Sequence, residues 1–304
     1  MGIGIAPAKT ILFGEHAVVY GEPGIAIPLW EITTTASFQP FRDSDRKRDF
    51  HIHSPMIGLD ADFSDIPVNL PLKKLIIRLM NLLHLTEPPA KILQIESTIP
   101  IASGLGSGAA CSVAVIRAFF DEYHSNFDDA EISSIAFEIE KSYHGSPSGL
   151  DNTTISFGKP VYFQKGKGFE ILKLDSKLNL IVADTGIQSV TSAVVQDVRN
   201  HYEQNQAFIR AIGIIAEKAR PAVEKGDVQE IGQLMNENHD YLKKINVSCY
   251  ELDLAVETAR KHGAIGAKLT GAGRGGNFIA LAEKPSDMIE IKKSLVHIGA
   301  KIIL

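Results

Sequence analysis

Along the chain, apolar residues recur with two different periods, and the switches between them mark out the elements. From Gly2 to Phe13, Ile25 to Leu29 and Ile32 to Phe38 they come in short runs separated by glycine, which predicts a meander of strands. Phe50 to His53 reads as one more strand inside a charged, irregular stretch from Phe41 to Phe63. Leu72, Leu75, Ile76, Leu79, Leu82 and Leu83 then fall on one face at helical spacing, so a helix is expected from Leu72 to Leu85, stopped by Pro88-Pro89. The apolar run Ile92 to Ile99 is a strand candidate, and Ala109 to Tyr123 reads as a helix apolar on nearly every side, hence buried. Asp128 or Asp129 is placed to cap a further helix, Ala130 to Tyr143, with Ile132, Ile135, Ala136, Ile139 and Tyr143 as its stripe. Thr153 to Phe157 and Val161 to Gln164 look strand-like.

Near Asn179 the texture changes. A short apolar strand, Leu180 to Ala183, leads through the polar turn Asp184-Thr185-Gly186 into long helical runs from about Ser192 to Ile245. Ser248 and Glu251 have the spacing of a capping box for a helix that ends at His262-Gly263. Strand Ala264 to Leu269, the turn TGAGRGG, strand Asn277 to Ala282, helix Ser286 to Ile298 and strand Lys301 to Leu304 complete the chain. That order is a split βαβ, ferredoxin-like arrangement with extra helices. The expected fold is α+β with two domains, residues 1–180 and 181–304, and no internal repeat.

Composition narrows the function. A chain of 304 residues, 44% hydrophobic and 22% charged, can build two modest cores. Its net charge of −5, with no basic block interleaved with aromatics, gives no reason to expect nucleic acid. Cys111 and Cys249 form neither a metal-ligand spacing nor a disulfide framework, which fits a reducing compartment. No signal peptide or membrane-length apolar run is seen, and Ala6 stands where a myristoylation signal requires Ser or Thr. The expectation is a cytoplasmic protein without a membrane partner.

The stretch richest in chemistry is Pro100, Ile101, Ala102, Ser103, Gly104, Leu105, Gly106, Ser107, Gly108, Ala109 and Ala110, set between a strand and a helix. Backbone N–H groups and the positive end of a helix dipole would converge there, a place for an anion such as a phosphate chain. The spacing is neither a Walker A loop nor the Rossmann GxGxxG, and an ordinary tight turn before a buried helix has the same composition. Lys9, Glu15 and His16 crowd a short apolar segment beside Gly14 and Gly21, as on the floor of a polar pocket. Glu140 lies on the margin of its helix stripe, where a shielded carboxylate needs a partner. Asp151, in the loop HGSPSGLDN, reads by itself as turn chemistry. His51 and His53 share a strand face without a third ligand and read as exposed edge residues.

Taken together and in order, APAKTILFGEHAVVYG at Ala6 to Gly21, PIASGLGSGAA at Pro100 to Ala110 and KLTGAGRGGNF at Lys268 to Phe278 resemble the GHMP kinase superfamily. Ala17-Val18-Val19-Tyr20 after the Glu-His pair resembles the branch acting on mevalonate rather than the galactokinase branch, as do the turn at Asp184 and the segment Asn246 to Ser248. The resemblance spans essentially the whole chain. It implies a two-lobed GHMP fold, with ATP and (R)-mevalonate meeting between the lobes. It also implies phosphorylation of the primary hydroxyl to give (R)-5-phosphomevalonate and ADP, in the mevalonate route to isoprenoids. By that similarity Asp151 is the general base with Lys9 beside it, the glycine loop wraps the ATP phosphates, and Glu140 with Ser107 holds Mg²⁺. Glu15 and His16 face the acceptor, Thr270, Gly271 and Ala272 support it, and the protein is a homodimer.

These roles suit the chemistry. Phosphoryl transfer to an alcohol needs in-line positioning and charge neutralisation, a cation beside a carboxylate keeps it able to accept the hydroxyl proton, and carboxylate and hydroxyl oxygens suit a hard cation. Two departures from the family pattern stand out. Gly108 occupies the position of a serine whose hydroxyl lies near the metal, and Arg274 interrupts the glycine run of the third motif, where it either touches a phosphate or, the preferred reading, points to solvent. The competing readings are a phosphomevalonate or homoserine kinase, a mevalonate diphosphate decarboxylase, and a non-catalytic ligand sensor. Homoserine kinases do not resemble the Lys9, Glu140 and Asp151 combination, and the intact Lys9, Glu15-His16 and Asp151 set argues against the decarboxylase. A phosphomevalonate kinase would need a different acceptor pocket, and the sensor reading applies if both ligands bind without ADP forming.

Overall fold

The structure, a computed structural model, describes residues 1–41, 50–101, 103–144, 147–174 and 177–304. By its internal contacts the chain forms two units: Met1–Lys9 with Pro28–Gly158, and Thr10–Ile27 with Lys159–Leu304. This division crosses the chain differently from a boundary at residue 180. Two strands, β1 (Ile3–Phe13) and β2 (Pro23–Gln39), each run from one unit into the other. The two runs expected at Ile25–Leu29 and Ile32–Phe38 are one continuous β2, because the polar Glu31 between them stays in extended register.

In the first unit, β2 continues a sheet with β3 (His51–Ser54), β4 (Leu59–Asp62) and β5 (Ile92–Ser97), in the order β4-β3-β5-β2. β3 runs parallel to β5, and the other two pairings are antiparallel. Helices α1 (Pro71–Leu82), α2 (Ser107–Glu122), α3 (Asp129–His144) and α4 (Leu150–Phe157) belong to the same unit. Its core is aromatic: the Phe38 ring meets the edge of Phe119 at 4.9 Å between centroids, and Phe50 lies 5.4 Å from Phe63. Fully burying one such ring contributes about 1.5–3 kcal/mol. Asp128 caps α3 in a reciprocal box, accepting from the Glu131 amide at 2.8 Å while Glu131 accepts from the Asp128 amide at 2.9 Å.

Three sequence expectations change here. Residues 153–157 form helix α4, not a strand. The β-branched Thr153 and Thr154 donate their hydroxyls to the carbonyls of Gly149 and Leu150, and left-handed glycines bound the helix at both ends. His51 is buried rather than an exposed edge residue, because cross-strand register sets Asp62 opposite His51 and Asp60 opposite His53. The His51 ring nitrogens lie 2.6 Å and 2.7 Å from those two carboxylates. Helix α1 stops at Leu82, several residues before the prolines, where His84 turns to φ 53°.

The second unit holds the ferredoxin-like sheet, ordered β11-β8-β10-β9 and antiparallel throughout. Its strands are β8 (Asn179–Asp184), β9 (Ala264–Leu269), β10 (Asn277–Ala282) and β11 (Lys301–Ile302). Helices α5 (Thr191–Asn200), α6 (Tyr202–Lys225), α7 (Val228–Lys244), α8 (Tyr250–Lys261) and α9 (Asp287–His297) accompany it, and β6 (Val161–Gln164) and β7 (Gly168–Ile171) extend from the first part of β2. Strand β9 is an edge, and α7 covers it. The Asn236 amide bonds the Ile265 carbonyl and the Ala267 N–H, both at 3.0 Å, and the Leu269 N–H points at His239 Nδ1 at 3.4 Å. Side chains thus replace the missing neighbour strand. The capping box expected at Ser248 and Glu251 does not form; Ser248 donates instead to Asp253 at 2.6 Å, and Cys249 is the N-cap. Among the described residues no helix is long and apolar enough to cross a membrane.

Candidate active site

In the first unit, strand, glycine loop and two helices bring three ionisable side chains together. β1 runs beside α2, where Arg117 donates to the Ile5 carbonyl on β1, to Asp129 at the start of α3 and to the Ser156 carbonyl on α4. A second tie, from the buried Asn152 amide to Ser133, fixes α4 on α3. Lys9 on β1 then reaches Asp151 in the first turn of α4 at 2.9 Å, with Lys9 3% exposed and Asp151 32% exposed. Sequence alone placed Asp151 in a loop; the helix start holds it more firmly. Glu140 on α3 is buried more deeply than the margin of a stripe suggested. Burial first, then the neighbouring Asp151 charge, push its carboxyl up to about 8, and Lys9 opposes the shift.

The glycine loop leans on the same lysine. The Lys9 N–H donates to the Leu105 carbonyl at 3.0 Å, and a Cβ on Gly106 would stand 2.8 Å from Ile155 and 3.1 Å from the Lys9 stem. Gly106, at φ 78°, is the N-cap of α2; no side chain caps that helix and no acid sits in its first turn. The start of α2 therefore keeps the donors and dipole that favour a phosphate. Ser103 closes the loop by donating to the Pro100 carbonyl at 2.8 Å, and Ala102 lies outside the described residues. Around Gly108 the space is open: an added Cβ would meet no atom within 4 Å. Cys111 on α2 is half-buried, and desolvation pushes its thiol up to about 11.

The second unit builds a different structure from Glu15, His16 and the turn after β9. Glu15 and Lys268 form an ion pair with no exposed surface on either side chain, and Lys268 also donates to the Leu269 carbonyl at 2.8 Å. Within the motif KLTGAGRGGNF, Lys268 carries no role that the resemblance assigns. Its signal was a lone cation in the apolar strand Ala264–Leu269. His16 takes φ 61°, and its Nε2 lies 2.9 Å from the Ala272 carbonyl, which accepts and so fixes the proton on that nitrogen. Burial is the main reason its pKa falls to about 4. Thr270 accepts from the Ile11 N–H at 3.2 Å, and its hydroxyl lies 3.0 Å from that of Thr10. Gly271 and Ala272 complete the bend.

Among the described residues no group of three or more His, Cys, Asp or Glu side chains can hold a metal ion by itself. A Mg²⁺ that takes most of its oxygens from nucleotide phosphates and water needs only one or two carboxylates. The Glu140 carboxyl, pushed up by burial and by the neighbouring Asp151 charge, and the Ser107 hydroxyl at the α2 start are oxygen donors of the kind such an ion takes.

Comparison with known proteins sets first the class and then its branch. Residues 72–159 match the family model described as GHMP kinases N terminal domain, and residues 219–300 match GHMP kinases C terminal. The mevalonate kinase of Pyrococcus horikoshii is 36% identical over 298 residues, covering 91% of this chain and 87% of its own. Among solved structures, the L. major mevalonate kinase in complex with R-mevalonate superposes with a TM-score of 0.79 at 33% identity, covering 98% of this chain and 92% of that one. The Methanococcus jannaschii mevalonate kinase gives 0.85 at 26% identity, with 99% and 96% coverage. The chain belongs to the mevalonate kinase family of GHMP kinases.

Proposed function

We propose that the protein transfers the γ-phosphoryl group of ATP to the primary hydroxyl of (R)-mevalonate, giving (R)-5-phosphomevalonate and ADP. The observation that carries this reading is the Lys9–Asp151 pair, a buried ammonium against a carboxylate that keeps an open face, set beside a glycine loop at an uncapped helix start. Asp151 accepts the hydroxyl proton, and Lys9 orients its carboxylate and adds positive charge where negative charge develops. Residues 100–110 hold the phosphates through backbone N–H groups. Mg²⁺, held by Glu140 and Ser107 when bound, supplies charge neutralisation for the phosphates. His16 and the bend Thr270 to Ala272 shape the acceptor region, and Glu15 supports that region through Lys268 from a buried position.

A ³¹P NMR assay with Mg-ATP and (R)-mevalonate tests the reading, with mevalonate 5-phosphate and homoserine run in parallel. A new phosphomonoester together with ADP, in the mevalonate tube alone, is the expected result. Free phosphate without an ester, or no reaction in any tube, would overturn it. A cytoplasmic homodimer belongs to the same reading on family resemblance, and light scattering of the purified protein checks the dimer.

A further inference from the structure

The third motif carries a residue that its backbone does not favour. Arg274 takes φ 54° inside a turn where Gly271, Gly273, Gly275 and Gly276 also have positive φ, the region that L side chains avoid. A glycine would sit there without strain, so the arginine side chain must return something. It does not point to solvent as the sequence suggested. Its Nε donates to the Asn246 carbonyl at 3.0 Å, between α7 and α8, and its Nη2 pairs with Asp197 on α5. His201, one turn further along α5, lies with its Nδ1 2.9 Å from the Asp197 backbone carbonyl and 3.3 Å from the other Asp197 carboxylate oxygen. Both members of the Arg274–Asp197 pair are about two-thirds buried.

The rest of the turn shows what this contact controls. The Arg274 N–H donates to the Val247 carbonyl at 2.8 Å, and Gly273 comes so close to Val247 that an added Cβ would sit 1.9 Å from that carbonyl oxygen. At one end of the turn Ala272 accepts from His16; at the other, Gly276 bonds to Ile187 and Thr185 in the segment that leads into α5. Helix α5 itself buries only Val194 and Val198. A helix so thinly attached depends on its few polar ties.

We propose that Arg274 is a positioning residue whose guanidinium latches helix α5 and the α7–α8 connection onto the Thr270–Gly276 turn, and so sets how tightly the acceptor is held. Arginine suits the task because its rigid planar fork presents two separate nitrogens, Nε to the Asn246 carbonyl and Nη2 to the Asp197 carboxylate, where lysine would have to reach both from a single nitrogen. The inference rests on the reading of this turn as part of the acceptor region.

The test uses the full chain with Arg274→Gly, which takes up φ 54° freely, Asp197→Asn, and the double variant. Each single change is expected to raise KM for mevalonate roughly five- to tenfold, the size of one partly buried ion pair, with KM for ATP and kcat within about twofold. The double variant is expected to be no worse than either single, and Arg274→Lys to recover only part of the loss. Hydrogen exchange across residues 191–200 should speed up in Arg274→Gly, Asp197→Asn and the double variant and stay unchanged in Asp151→Asn. Unchanged KM in both single variants, additive losses in the double, or a uniform fall in all kinetic constants would overturn the latch. If the wild type does not phosphorylate mevalonate, the functional reading fails, and exchange in α5 still decides whether the latch exists.

Discussion

Each unit of the molecule contains a buried lysine paired with a carboxylate, and the two pairs are built differently. Lys268 and Glu15 have no exposed surface, and Lys268 spends a further hydrogen bond on a backbone carbonyl. Lys9 is as buried as a core residue, yet its partner Asp151 keeps about a third of its side-chain surface open, with a third ionisable group, Glu140, close by. A fully enclosed pair can hold segments together and do little else, since no substrate atom can reach it. A pair open on the carboxylate side can exchange a proton with a ligand. Similar residue types are thus fully enclosed in one unit and open on the carboxylate side in the other, which suits the first to a structural pin and the second to the chemistry proposed for it.

The largest effect is expected from breaking the pin. Lys268→Ala removes the cation that Glu15 pairs with out of reach of solvent and should cost about 3–5 kcal/mol in denaturant unfolding, whereas the pair Lys268→Met with Glu15→Gln should regain most of it. A loss no larger than that of a surface substitution would show that the pair is not structural. Asp151→Asn should do the opposite, leaving stability and ATP binding nearly unchanged while kcat falls by about 10² or more, the lower end of a positioned base. Unchanged turnover would remove Asp151 from that role.

Acid should separate the two regions again. In the second unit, burial lowers both His16 and His239 to about 4, below the usual value near 6.5. Between those values the unfolded chain binds more protons, so the stability these histidines provide is lost as pH falls from about 6.5 to about 4. Glu140 has the reverse sign. Its raised value means that the folded state holds the extra proton, so its contribution declines as pH rises from the ordinary carboxyl range towards 8. Thermal melts across pH 4 to 8, with His16→Asn and Glu140→Gln as controls, should show slopes of opposite sign; parallel profiles would contradict the assignment.

The smallest effects concern the metal. Glu140→Gln should raise the Mg²⁺ concentration needed for half-maximal activity and for nucleotide-induced thermal stabilisation. Gly108→Ser should lower both by a few fold, because nothing in the structure obstructs a side chain there. Titrations that overlay the wild type in both variants would place the metal ligands elsewhere.

Much of the fold is legible in the sequence, though unevenly. The glycine loop, Lys9 and the ferredoxin-like order were legible because turn glycines and apolar periodicity are local signals. Residues 153–157 were misread as strand because β-branched propensity is a weak prior, overridden here by threonine back-bonds and glycine caps. The burial of His51 depended on β4, which lies in a stretch too charged to announce a strand. Lys268 and Arg274 were visible as residues, but their partners are far away in sequence.

What the sequence determined by itself, then, was which groups are present and which segments can form elements, since helix and strand periods, caps and glycine turns act over a few residues. Whether a charge is enclosed, bridging two segments or open to solvent was decided only in three dimensions. The energy of an ionisable side chain depends on how much water it keeps and which opposite charge it meets, and both are set by chain segments tens to hundreds of residues away.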